Sequence, residues 1–515
     1  MTHSLEGLQF PHTQDTQKPS TSKTGKNILA AALAGIAPQV AQAVLQEKNW
    51  RKRYPYYFKA LVEHGILDEN HALQIAEQGL NKAQASFDFY RDGQAYSLKE
   101  SLALQTQKID TYIIHGQSQQ APEWYVPYQG KKLQGDALLA QLDTWQQRGI
   151  IEPSHADALR EAVAHPEWFD LSDRTLVLFG AGSEAGPFTW LAKWKANIVA
   201  IDLPNAQVWS RILKTVREGN ATLYAPTYQT LATDLSDDQI ASKLGANLLT
   251  EIPEIIQWLI NQSNSLDLAA IAYLDGEKHV RVAMAMDFIM QQVSDAKPDT
   301  SLMFMCTPTD VYAVPQEVIK ASEDKLAQRS QLHTQLSKGI SLLSAQRFFK
   351  PNSHDLIQSN NGEKYGIADS LVVEQGPNYA LAKRLQQWRA TLARQQGQVV
   401  SINIAPSTTT RSVTKNPLLK AAFQGAKLFD VEAFEPQTTN ALMAALWIHD
   451  LRNPQSVSQP QVKLQHPLEL MMKGANHGGL WHVAYLPRTA LPFAALYGLA
   501  EDKLPLEKLL KKFKI

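Results

Sequence analysis

The amino-acid sequence predicts an α/β protein built on a doubly wound parallel sheet, with a mainly helical N-terminal region and a helical insertion. Three observations predict it. Short apolar runs of strand length at 175–179, 197–201, 221–228, 266–274, 301–305 and 398–404 alternate with longer stretches of helical periodicity. The ends of the strand-like segments carry Gly180, Asp202, Asp234, Thr307 and Pro406, which are turn or ligand-binding residue types. A parallel sheet places all such ends on one rim, where ligands bind in open α/β folds.

Composition narrows the class. With 515 residues the chain holds two or three ordinary domains, and 44% hydrophobic with 19% charged residues is normal for a soluble globular protein. Lys+Arg and Asp+Glu are each 50, so no broad electrostatic footprint for nucleic acid is expected. The single cysteine, Cys306, excludes an internal disulfide framework and fits a reducing, cytoplasmic setting. No secretory signal opens the sequence, and the first apolar run, 28–45, carries Gly35, Pro38, Gln39 and Gln42. That run reads as a packed helix, so no stable membrane insertion is expected.

In chain order, residues 1–27 are polar and read as a disordered tail. Residues 28–166 read as mainly helical, with apolar periodicity at 28–45, 60–66, 71–83 and 137–145. The basic and aromatic run from Trp50 to Phe58 reads as an internal contact with snorkelling cations. The sheet domain spans 167–455, with an insertion at about 315–365 whose charged, helix-forming sequence predicts a flap over the substrate side. Residues 456–515 read as a substrate-side segment ending in a short basic amphipathic helix, 504–515. His477 and His482 flank Gly478-Gly479 in this segment without a Cys or an acidic partner nearby in sequence, which is a weak metal signal, so no metal is assigned.

Two local patterns carry chemistry. Strand 175–179 runs into Gly180-Ala-Gly182-Ser183-Glu184-Ala-Gly186, a helix-like stretch follows at 188–195, and strand 197–201 ends in Asp202. This is the strand, glycine turn, helix, strand, acid order of a Rossmann-like dinucleotide-binding unit, in which the turn lets a pyrophosphate approach backbone amides. Asp202 stands 22 residues after Gly180, where a carboxylate accepts ribose hydroxyls and repels a 2′-phosphate, favouring NAD over NADP. Methyltransferases that use S-adenosylmethionine share this layout. The second pattern is Tyr379 and Lys383, four apart on a helix with no Gly or Pro before Gly397. An ammonium beside a phenol favours the phenolate, which suits an acid/base pair.

Together these residues resemble the short-chain dehydrogenase/reductase superfamily over roughly 173–453. Gly180 and Gly186 match the outer glycines of its cofactor loop and Asp202 its ribose-binding acid. Asp234 resembles the adenine-contacting acid after the third strand. Tyr379 and Lys383 match the Tyr-x-x-x-Lys pair, and 404–406 with Thr408 resembles the segment closing over the nicotinamide. Residues 435–448 resemble the helix that precedes the last strand. The resemblance implies hydride transfer between nicotinamide and a carbonyl or alcohol carbon of a small, apolar substrate. Tyr379 would be the acid/base, Lys383 its partner and ribose anchor, and Thr307 or Ser370 the group polarising the substrate oxygen. Homo-oligomers are common in that family.

The sequence also departs from the family. Glu184 replaces the middle glycine, and Tyr273-Leu-Asp-Gly276 replaces the usual Asn-Asn-Ala-Gly. With no asparagine between Gly276 and Pro298, the family's helix asparagine is either missing or replaced, His279 being the candidate. Thr307 lies 72 residues before Tyr379 and Ser370 nine, so an insertion separates strand from helix. The alternatives are a nicotinamide-assisted epimerase or dehydratase, and a degenerate, non-catalytic nucleotide-binding protein.

Overall fold

A computed structural model describes residues 5–11, 20–232, 234–329, 331–345, 347–415 and 417–503. Its centre is a seven-stranded sheet: β1 (Asp110–His115), β2 (Thr175–Phe179), β3 (Asn197–Ile201), β4 (Thr222–Thr227), β5 (Asp267–Ala270), β6 (Ser301–Cys306) and β7 (Val400–Ile404). The spatial order is β7-β6-β5-β2-β3-β4-β1, with every pair parallel except β1 on β4. Counted on the six parallel strands, this is the doubly wound order 3-2-1-4-5-6 of dinucleotide-binding sheets. The fold is α/β and Rossmann-like. The chain reverses direction between β2 and β5, so the crevice for a ligand opens beyond their carboxyl ends.

The strands are apolar throughout because both faces are covered. Alternate residues serve two cores. Val177, Phe179, Val199, Ile201, Leu302 and Phe304 face one core, which also holds Ile28, Leu29, Tyr54 and Phe58 of the N-terminal helices. Leu176, Leu178, Ile198, Ala200 and Met303 face the other, with Leu138, Trp145, Leu159, Leu442 and Trp447. Three helices on the first side matter below: α1 (Thr21–Ala34), α2 (Glu277–Ala296) and α3 (Pro377–Gln395). Arg389 of α3 grips Asp287 of α2 with two hydrogen bonds, 2.6 and 3.1 Å, which fixes the rotation of α3 about its axis.

Several expectations are corrected. Parts of the 1–27 tail are ordered: Gly7–Gln9 pairs with Asp88–Tyr90, burying Leu8 and Phe10, and α1 already starts at Thr21, while 1–4 and 12–19 lie outside the described residues. The run 28–45 is two helices, because Gly35 and Pro38 end α1 and begin Pro38–Gln46. A domain boundary at 166/167 cuts the sheet, since β1 comes from the region read as helical. The insertion is not purely helical: Val311–Pro315, Lys364–Asp369 and Ile357–Gln358 form an antiparallel sheet beside its two helices. The helix Pro436–Arg452 is followed by no further strand of the large sheet among the described residues. The basic terminal helix, 504–515, lies outside the described residues. No helix among those described is long and apolar enough to cross a membrane.

Candidate functional site

A cavity of about 1190 Å3 opens at the switch point, beyond the ends of β2, β3, β5, β6 and β7. The glycine turn forms one wall with Gly180, Gly182, Ser183 and Glu184. Asp202 lies at the end of β3, Thr307 at the end of β6, and Pro406 and Thr408 after β7. Tyr379 and Lys383 enter from α3. Residues up to 228 positions apart in sequence are therefore gathered on one rim. Gly180 is required where it stands: its φ is +91°, and a Cβ there would lie 2.7 Å from Ala272 Cα after β5.

Three assigned residues fall elsewhere. Gly186 does not line the cavity and packs on Ile271 and Ser183. Asp234 occupies an exposed turn, and 246–250 lines the cavity instead. Ser370 is buried, with its hydroxyl donating to Leu480 O at 3.3 Å, so it cannot meet a substrate beside Tyr379. Thr307 is thus the hydroxyl that the fold brings to the phenol. Its Oγ1 lies 2.8 Å from Thr309 Oγ1, and the hydroxyl is near enough to the phenol to draw the Tyr379 pKa down.

The electrostatics of the pair differ from expectation. Burial pushes the Tyr379 phenol up to about 12, only partly opposed by the Thr307 hydroxyl. Lys383 does not offset this, because its Nζ donates to Met305 O at 2.8 Å and to Gln386 Oε1 at 3.2 Å. Burial also lowers the Lys383 pKa. Two of its three N–H groups are so placed, which leaves one for a ligand. The Tyr379 ring stacks against His279, centroids 5.4 Å apart, with Tyr273 behind at 6.1 Å.

The glycine turn is built unusually. The helix after the turn is a single turn, Phe188–Leu191, instead of the stretch 188–195 expected, so its dipole offers little to a pyrophosphate. Glu184 is not a free negative charge: Arg411 gives it a backbone N–H at 3.0 Å and an Nε contact at 2.8 Å. The pair bridges the glycine turn to the segment after β7. Asp202 accepts the N–H groups of Gly182 and Leu203, both at 2.8 Å, and burial raises its pKa. Those bonds draw the turn over the end of β3.

No family model matches this chain, and no curated protein matches it. Among solved structures it is similar to the terminal R domain from the myxalamid PKS-NRPS biosynthetic pathway, at 12% identity and a TM-score of 0.28. The match covers 51% of this chain and 60% of that one. At that score the likeness adds nothing to what the strand order shows.

The outer part of the cavity is apolar. Val413, Leu419, Ala422 and Phe423 line it from the segment after β7, and Leu480, Pro487 and Leu491 from the C-terminal segment. Among the described residues none from 316–371 does, so the expected flap is not the insertion. The insertion braces the C-terminal segment instead, through Arg488 on Asp369 (2.6 and 2.7 Å) and Asn352 on Val483 O (3.0 Å). Sequence reasoning missed these lining residues because their apolar spacing is that of ordinary packing helices.

His477 and His482 do acquire an acidic partner, Glu152, whose Oε1 lies 2.8 and 2.9 Å from their Nε2 atoms. The grouping has the composition of a metal site. Its protonation argues otherwise. Gly479 N–H donates to His477 Nδ1 at 3.1 Å, so the ring proton sits on Nε2 and is given to Glu152. A ligating Nε2 needs the reverse arrangement. Burial works to raise the Glu152 pKa, but the two imidazoles outweigh it and hold the carboxyl below its usual range.

Burial also pushes His477 down to about 4, and His155, whose Nδ1 meets Gly474 O at 2.9 Å, down to about 4. Both imidazoles stay neutral in the fold between pH 6.5 and 4, whereas the unfolded chain protonates them. The unfolded state binds the extra protons, so stability present above pH 6.5 is lost as the pH falls across that window. The expected loss is on the order of 3 kcal/mol per imidazole. Denaturant midpoints at pH 7 and pH 4.5 check it, and His477→Gln with His155→Gln should flatten the profile.

Proposed function

We propose that this chain is an NAD(H)-dependent oxidoreductase of the short-chain dehydrogenase/reductase type, interconverting a carbonyl and a secondary alcohol on an apolar substrate. One observation carries the reading. Tyr379, Lys383 and Thr307 share a cavity with the Gly180 turn and Asp202, at the switch point of a doubly wound sheet.

The residues present fit a nicotinamide dinucleotide. The Gly180–Glu184 turn and Asp202 would hold its adenosine half, and Lys383 a ribose of the nicotinamide half. When bound, the nicotinamide supplies or accepts the hydride. Thr307 orients the substrate oxygen, and Tyr379 gives that oxygen a proton in reduction or takes it in oxidation. The apolar walls formed by Val413, Leu419, Phe423, Leu480 and Leu491 exclude water from the reacting groups and favour an apolar substrate.

A second reading, a nucleotide-binding protein without turnover, is favoured by Lys383, whose Nζ donates to Met305 O and Gln386 Oε1 while burial raises the Tyr379 pKa. Binding is tested first: NADH should quench tryptophan fluorescence saturably and S-adenosylmethionine should not. The converse result would move the chain to the methyltransferases. Asp202→Ala removes the charge that opposes a 2′-phosphate and is expected to raise NADPH use relative to NADH by about tenfold. No change in that ratio would remove the case for NAD.

A further inference from the structure

Behind the Tyr379 ring lies a second cavity, of about 260 Å3. Three helices begin at it. Thr21 and Ser22 come from the first turn of α1, Gly276 is the cap of α2, and Gly376 to Asn378 open α3. The first N–H groups of a helix point out of its end and carry the positive pole of its dipole. Neither α2 nor α3 has a side-chain cap to occupy those groups; in α3, whose first residue Pro377 has no N–H, they begin at Asn378.

Arg51 adds a full positive charge. Its guanidinium lies against the α3 cap: a Cβ added at Gly376 would be 3.2 Å from Nη1. Arg51 has no ion-pair partner among the described residues, and no Asp or Glu among them lines the cavity. An independent observation points to a ligand. His279 lines the cavity at 1% exposure, and neither ring nitrogen has a hydrogen-bond partner. Buried polar atoms are nearly always satisfied. Burial and the nearby Lys383 keep this imidazole neutral, so one of its nitrogens still carries an N–H to donate.

We propose that this cavity binds a small oxyanion, a phosphate or carboxylate group, held by Arg51, His279 and the uncapped amides of α2 and α3. The site goes beyond the redox reading and does not rest on it. Tyr379, Tyr273, Leu274 and Gly276 line both cavities, so the anion sits beside the phenol. A negative charge there disfavours the phenolate, which couples occupancy of the site to the acid/base group. The oxyanion arrives either free or as the end of a molecule reaching through from the larger cavity.

Calorimetric titration of the full chain with inorganic phosphate, at ionic strength fixed with sodium chloride, tests the proposal. Saturable binding is expected, weakened about tenfold in Arg51→Ala, since a charged hydrogen-bond partner is lost. Asn378→Asp sets a carboxylate at the cavity and should abolish binding, while an acid in the first turn stabilises α3 and keeps the variant folded. Heat that never saturates, or an affinity unchanged in both variants, overturns the site. So does competition by NADH, which would assign the phosphate to the dinucleotide seat. Butyl phosphate separates the two sources: tighter binding than phosphate supports an end group, and equal binding supports a free anion. Failure of NADH to quench fluorescence would remove the redox reading alone and leave the phosphate isotherm to be judged by itself.

Discussion

Tyr379→Phe is expected to cut turnover by about 10²–10⁴-fold while leaving NADH quenching within about twofold. The substitution removes one oxygen and keeps the ring that stacks on His279, so the aromatic packing survives. On the proposed reading, what goes is the proton exchanged with the substrate oxygen. The pH dependence follows from the phenol's environment. Burial holds its pKa at about 12, so Tyr379 is protonated throughout the neutral range. Reduction uses the protonated phenol and should be level from about pH 6 to 10, falling only in stronger alkali. Oxidation needs the phenolate and should rise with pH over that interval. Steady-state rates in both directions would show this, and turnover unchanged in Tyr379→Phe would leave only the nucleotide-binding reading.

How much of this was legible in the sequence depended on the range of the signal. The parallel strands β2 to β7 were readable because each is a short, largely apolar run covered on both faces. The Tyr379–Lys383 pair was readable because four residues along a helix return to one face. Long-range partners were not. Nothing in the local pattern sends Ser370 away to Leu480 or brings Glu152 to His477 across 325 positions. Glu184 looked damaging to a cofactor loop because its counter-charge, Arg411, is 227 residues distant. The electrostatics of the phenol failed for a different reason. Spacing alone gives the distance to Lys383, but burial and the competing Met305 carbonyl decide where the ammonium points.

The geometry joining Thr307 to Tyr379 depends on a buried charge outside the cavity. Asp310, just beyond β6, accepts Arg384 Nη2 at 3.1 Å, Gln387 Nε2 at 2.9 Å and Val311 N–H at 2.7 Å. Arg384 and Gln387 lie on α3, one and two turns beyond Tyr379. Asp310 thus ties the strand end carrying Thr307 to the helix carrying the phenol. Arg384 and Asp310 are 3% and 1% exposed. Arg384→Met keeps the volume but strands the carboxylate, at an expected cost of about 3–5 kcal/mol.

The sign of its pH dependence is fixed by Asp310. Burial already raises that pKa against the pull of Arg384, and losing Arg384 raises it further. The folded variant then keeps a proton that the unfolded chain releases near pH 4, so its deficit grows as pH rises and shrinks in acid. Asp310→Asn combined with Arg384→Met removes the stranded charge and should recover most of the loss. Denaturant unfolding of the three variants at pH 5 and pH 8 measures these differences. A deficit that is equal at both pH values, and not relieved in the double variant, would mean that Arg384 acts through its packing on Phe58, where its guanidinium lies 5.8 Å from the ring centre.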